Sequence, residues 1–109
     1  MPPKRDRLHG TLDALILKTL TTGARHGYAI SRWLRERSGE AIVVEEGSLY
    51  PALYRLEREG LIAVEWGITE FDRRARFYNL TPAGRRQLVA EVEGFQRFVA
   101  AVSPILLAT

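Results

Sequence analysis

The spacing of apolar residues changes at Gly60, and that change limits the fold more than any other feature of the chain. In "LIAVEW", directly after it, Ile62, Val64 and Trp66 point one way while Leu61, Ala63 and Glu65 point the other. Strict alternation of this kind is the period of a strand. "ARFYNL" reads as the return strand, so a β-hairpin is expected, its loop falling between Gly67 and Arg74. Helical spacing then resumes in "TPAGRRQLVAEVEGFQRFVAAV", with Thr81 as N-cap and Pro82 at the first helical position. Pro104 is expected to end or bend that helix.

Three helical stretches precede the switch. "TLDALILKTLTTG" has Thr11 as its expected N-cap and Gly23 as its stop. Its residues Leu12, Leu15, Ile16, Leu17 and Leu20 cover an arc of roughly 200° at about 100° per residue, wider than one neighbour requires. A second helix is expected from Gly27 to Arg37, with Tyr28, Ile30, Trp33 and Leu34 at its apolar positions and Gly39 as a stop. "EAIVVEE" reads as a short link, extended around Ile42 to Val44.

The third stretch, "GSLYPALYRLEREG", places Pro51 among Leu49, Ala52, Leu53 and Leu56 at helical spacing. A proline inside a helix loses a hydrogen bond and strikes the carbonyl four residues back. With Ser48 as the N-cap, Pro51 becomes the third helical residue, where no donor is needed. The leucines then face the first two helices. Ser48, Tyr50, Tyr54, Arg55 and Arg58 are left on or near the opposite side, hydroxyls at a helix start followed by arginines. A helix start offers free N–H groups and partial positive charge, both suited to a phosphate.

With 109 residues and no cysteine, the chain is read as one domain without disulfides or thiolate metal sites. The net charge of +3 does not by itself call for nucleic acid. What matters is position: "RRAR", Arg73 to Arg76, lies where the second strand of the hairpin begins. No signal peptide is read at the amino terminus, because Asp13 and Lys18 interrupt its apolar stretch. No apolar run approaches a membrane span. His9 and His26 are the only histidines, Glu45 and Glu46 are adjacent in a link, and Gly23, Gly27 and Gly39 form no phosphate-cradling loop. An enzyme, a metal site and a cofactor are therefore not expected.

Three helices followed by a two-stranded hairpin is the winged helix-turn-helix order, in which the third helix enters the major groove. The expected fold is thus mainly α with a small β-hairpin, a winged helix-turn-helix domain plus a C-terminal dimerisation helix. Residues 1–10 are read as a flexible tail, 11–80 as the DNA-binding domain and 81–109 as the dimerisation helix. In the last helix, Leu88, Val92, Phe95, Val99 and Val102 follow alternating spacings of four and three, a heptad seam about two repeats long. Val89 and Phe98 lie off the seam. Pairing this surplus with that of Leu12, Leu15 and Ile16 across a homodimer accounts for both.

The motifs "HGYAI", "EGSLYPALYRLEREGLI" and "RRARFYNLTPAGR" together resemble the PadR family of bacterial transcriptional regulators, over nearly the whole chain. The resemblance implies a cytoplasmic, homodimeric repressor that binds inverted-repeat operators in double-stranded DNA. It implies DNA contacts from Ser48, Tyr50, Tyr54 and Arg55 on the third helix and from Arg73, Arg74 and Arg76 on the wing. Tyr28 is implied to reach a phosphate or to pack. The single C-terminal helix is similar to that of the family's shorter subgroup. Some members bind aromatic compounds at the dimer interface through a tryptophan on that helix. This chain has Phe95 and Phe98 there and its tryptophans, Trp33 and Trp66, elsewhere, so any small-molecule effector is left unknown. The competing reading is a winged helix that binds protein and not DNA, which Glu57, Glu59, Glu70 and Asp72 near the expected DNA face keep open.

Overall fold

The computed structural model describes the backbone from residue 7 and the side chains from residue 11. Four helices and three short strands follow in the order α1 (Arg7–Thr19), β1 (Arg25–His26), α2 (Gly27–Arg37), α3 (Glu46–Arg58), β2 (Ile62–Ile68), β3 (Arg74–Leu80) and α4 (Pro82–Leu106). The three strands form one antiparallel sheet in the order β1-β3-β2. The hairpin is as the alternation predicts, with Ile62 opposite Leu80 and Ile68 opposite Arg74. β1 is an addition. Arg25 pairs with Tyr78 and His26 with Phe77, and this stitches the start of α2 to the wing.

α2 occupies the expected residues, and α4 starts as expected. The Thr81 hydroxyl accepts the Gly84 N–H at 3.0 Å and donates to the Gly60 carbonyl at 2.7 Å, so one side chain caps α4 and ties it to the end of α3. Gly84 presses so close to the β2 entry that an added Cβ would collide with the Leu61 carbonyl oxygen.

Other boundaries differ from expectation. α1 is helical from Arg7, ahead of Thr11, so Thr11 is not its cap. The tail expected over 1–10 is already helix at 7–10, and its first six residues lie outside the described residues. Arg7 and Leu8 are good helix formers, and the cost of about 1 kcal/mol for Gly10 is small enough for the helix to continue through it ahead of Thr11. α3 starts at Glu46 with Glu45 at its cap, so Ser48 lies inside the helix and Pro51 is its sixth residue. The Ser48 and Leu49 N–H groups both donate to the Glu45 carbonyl. The carbonyl that Pro51 deprives of a donor belongs to Gly47, which is exposed and has open space around it, so water can serve it. α4 runs past Pro104 to Leu106, where the Leu107 N–H donates to the Ser103 carbonyl. The link at Ile42–Val44 forms no strand; the Ser31 hydroxyl bonds the Val44 carbonyl at 3.1 Å and holds the turn between α2 and α3.

The core lies where α1, α2 and α3 meet the base of the wing. Ile16, Leu17, Leu20, Ile30, Leu34, Leu49, Ala52, Leu53, Leu56, Leu61, Ile62, Tyr78 and Leu88 fill it. Two residues expected at a dimer interface belong here. Ile16 is wholly covered by its own chain and Leu88 almost so, because one turns toward α2 and α3 and the other docks α4 on the same core. Neither surface is free for a partner. Leu12 and Leu15 are half-buried at the edge of the core, Val102 is half-buried, and Val92, Phe95 and Val99 are exposed.

Candidate nucleic-acid interface

The apolar stripe of α3 fixes which of its side chains face outward. With Leu49, Ala52, Leu53 and Leu56 buried, Ser48, Tyr50 and Tyr54 are left exposed along the opposite side. The Tyr50 ring leans on the backbone of Gly27 at the start of α2. A Cβ at Gly27 would lie 2.6 Å from the Tyr50 hydroxyl oxygen, so glycine there lets the ring lie flat against α2. Tyr54 projects one turn later, with the Arg58 guanidinium 5.7 Å from its ring centre.

Tyr28 stands beside Tyr50 on the first turn of α2. His26 caps that helix, its Nδ1 accepting the Ala29 N–H at 3.2 Å, and its ring stacks with Tyr28 and meets the edge of Phe77.

The four arginines sort into two kinds. Arg55 turns inward: its Nη2 donates to Asp13 Oδ1 at 2.6 Å, and Asp13 is completely buried on α1. A carboxylate at that depth requires a cation, so Arg55 serves the interior and not the expected outer face. Arg76 likewise donates to Glu57 Oε1 at 2.7 Å and is half-buried against α3. Its charge is compensated inside the chain, which weakens its assignment as a phosphate ligand. The same bond draws Glu57 away from the outer surface. Burial pushes the Tyr78 phenol up, against the opposing pull of Arg76 beside it. Arg73 and Arg74 are exposed, and Arg74 holds its guanidinium 4.7 Å from the Trp66 ring centre.

The wing tip is held in one shape. The Thr69 hydroxyl accepts the N–H groups of Phe71 and Arg73, while the Thr69 N–H donates to the Arg73 carbonyl at 2.7 Å. Asp72 takes a left-handed φ of 60° to close the turn, a conformation aspartate tolerates better than most residues. Glu70 is drawn toward Arg32 on α2, 3.8 Å away.

A groove of about 530 Å³ opens between the wing and the starts of α2 and α3. Tyr28 and Tyr50 line one side, and Arg73, Arg74 and Arg76 line the other. Tyr28, Tyr50, Arg73, Arg74 and the Glu57-paired Arg76 therefore meet at one groove, while Ser48 and Tyr54 are exposed on α3 outside its lining and Arg55 turns inward. Among the described residues, no group of three histidine or carboxylate side chains could hold a metal ion, and no helix is long and apolar enough to cross a membrane.

Residues 16–90 match the family model described as the transcriptional regulator PadR-like family. The chain belongs to the PadR-like family. It is a transcriptional regulator of that family and not an enzyme. Among solved structures, a transcriptional regulator from Clostridium thermocellum is 30% identical with a TM-score of 0.84, over 94% of this chain and 99% of that one. Bacillus subtilis PadR in complex with operator DNA is 28% identical with a TM-score of 0.67, over 75% of this chain and 46% of that one. A transcriptional regulator of Mycobacterium tuberculosis is 42% identical over 60 residues, 54% of this chain and 55% of the relative. Within this PadR-like chain, β1 and the inward salt bridges were missed by sequence reasoning. The signal for the bridge to Arg55 was Asp13, a lone acid in the middle of an apolar helical stripe.

Proposed function

We propose that the chain is a homodimeric repressor that works in the cytoplasm and binds an inverted-repeat operator, α3 entering the major groove and the wing lying on the adjacent backbone. The observation that carries this reading is the outward groove lined by Tyr28 and Tyr50 with Arg73 and Arg74, with exposed Ser48 on the outward side of α3. Hydroxyls and guanidiniums at that spacing suit phosphates on both sides of a groove. The solved complex of B. subtilis PadR with operator DNA supports a duplex partner. Glu57 and Glu70 are engaged by Arg76 and Arg32, which removes two of the charges that favoured a protein partner.

The dimer reading rests on α4. Val89, Val92, Phe95, Phe98 and Val99 are all exposed in the single chain, a contiguous apolar face of the kind that marks an interface. Leu12 and Leu15, at the edge of the core, are the α1 residues left to meet a partner helix. Two recognition helices related by a two-fold axis would sit about 34 Å apart, one DNA turn. Sedimentation equilibrium at micromolar concentration, with duplex selection from random sequence, tests both parts. A dimer and a palindromic consensus are expected. A folded monomer, or duplex binding with no sequence preference, overturns the reading.

A further inference from the structure

Among the described residues, every exposed aromatic side chain outside α4, except Tyr54, lines the groove beside the wing: Tyr28, Tyr50, Trp66 and Phe71. Trp66 is 57% exposed and Phe71 64%. An intact duplex has a use for the tyrosine hydroxyls and for Arg73 and Arg74. It offers the faces of Trp66 and Phe71 only sugar edges and groove walls unless a base step is opened, because its bases are stacked inside. Exposed apolar surface gathered in a concave site points to a ligand that covers it.

The lining suggests the chemistry of that ligand. Aromatic walls accept a planar ring, and two exposed guanidiniums suit an anionic group attached to it. A nucleotide freed from its stack has both parts. We propose that this groove binds unpaired nucleotides of single-stranded DNA, a second binding mode besides duplex recognition. The base stacks against Trp66 and Phe71, and its phosphate meets Arg73 or Arg74, as in stacking platforms that track a strand by its π faces and its charge. Arg74 lies over the Trp66 ring, 4.7 Å from its centre, so a base stacking on that face displaces the guanidinium to the ring's edge, within reach of the nucleotide's phosphate. The Thr69 hydrogen bonds hold the tip bearing Phe71, so little freedom is lost when the ring is covered. Because Arg73 and Arg74 serve both partners, duplex and single strand compete.

The test uses the full chain and an oligothymidylate strand, beside an abasic strand of equal length and charge. In a Trp33→Phe background, where Trp66 is the sole indole, oligothymidylate is expected to quench the emission. The abasic strand is expected to bind roughly tenfold more weakly, the loss of one stacked base. Trp66→Ala and Phe71→Ala each lower oligothymidylate affinity by roughly tenfold and lower duplex affinity by clearly less, while Trp66→Phe restores part of the loss. Equal affinity for the abasic strand, an absence of quenching, or equal weakening toward duplex and single strand overturns the proposal. The wild-type comparison of the two strands holds whether or not a variant folds. Duplex binding without strand binding would defeat this inference alone. Strand binding without duplex binding would defeat the operator reading and leave this one standing.

Discussion

The first three helices and the last one treat their apolar residues in opposite ways. α1, α2 and α3 bury theirs against one another, down to residues with no exposed surface. α4 buries Gly84 and Leu88 at its start and then leaves a valine and phenylalanine face in the open. The difference is one of division of labour. The first three helices, the head, complete their core within one chain, whereas α4, the arm, is anchored at its start and leaves a face that the proposed dimer would cover. Stability of the head and association through the arm should therefore respond to different substitutions.

The sharpest way to break that comparison is a pair of deletions of similar size. Leu56→Ala empties a fully enclosed site and should cost about 2–5 kcal/mol of unfolding free energy. Phe95→Ala, on the exposed face, should shift the dissociation constant for self-association while a thermal melt of the dissociated chain stays near wild type. A large loss of monomer stability from Phe95→Ala would show that α4 folds back on its own head.

Next in size is the buried ion pair. Arg55→Ala leaves Asp13 without this partner in the interior and should destabilise by about 2 kcal/mol, below the usual range for a broken buried pair because the guanidinium is itself partly exposed. Urea denaturation measures it. If Arg55→Ala instead preserves stability and abolishes operator binding, the arginine turns outward when DNA arrives.

The smallest effect on stability belongs to Arg73→Ala. It should leave the unfolding midpoint unchanged, lower duplex affinity across sequences, and reduce the salt slope of binding by about 1 for the lost phosphate contact. Unaltered affinity and slope in a salt titration would remove the wing tip from the interface.

Residue types at fixed local spacing were legible in the sequence. α2 and the cap at Thr81 rest on contacts within a few positions, and each strand of the hairpin shows its alternation within its own residues; all stand where the spacing put them. Features that depend on partners far along the chain were not. β1 is two residues long, too short to show a period, and exists only because β3 lies beside it. Arg55 looked like a surface cation because its partner is 42 residues away on α1, and Arg76 because Glu57 is 19 residues back. Ile16 looked surplus because a helix surrounded on several sides has no single hydrophobic face. Ser48 was a good cap by composition, yet α3 begins two residues before it, at Glu46.

Thr81 has a mechanical consequence. Its hydroxyl joins the last residue of the α3 turn to the first turn of α4, and its own N–H holds the Leu61 carbonyl at the root of the wing. Such a joint behaves as a weld. Tilting α4 would therefore carry the end of α3 with it, and in the proposed two-fold pair a small rotation far along α4 would change the distance between the two copies of α3.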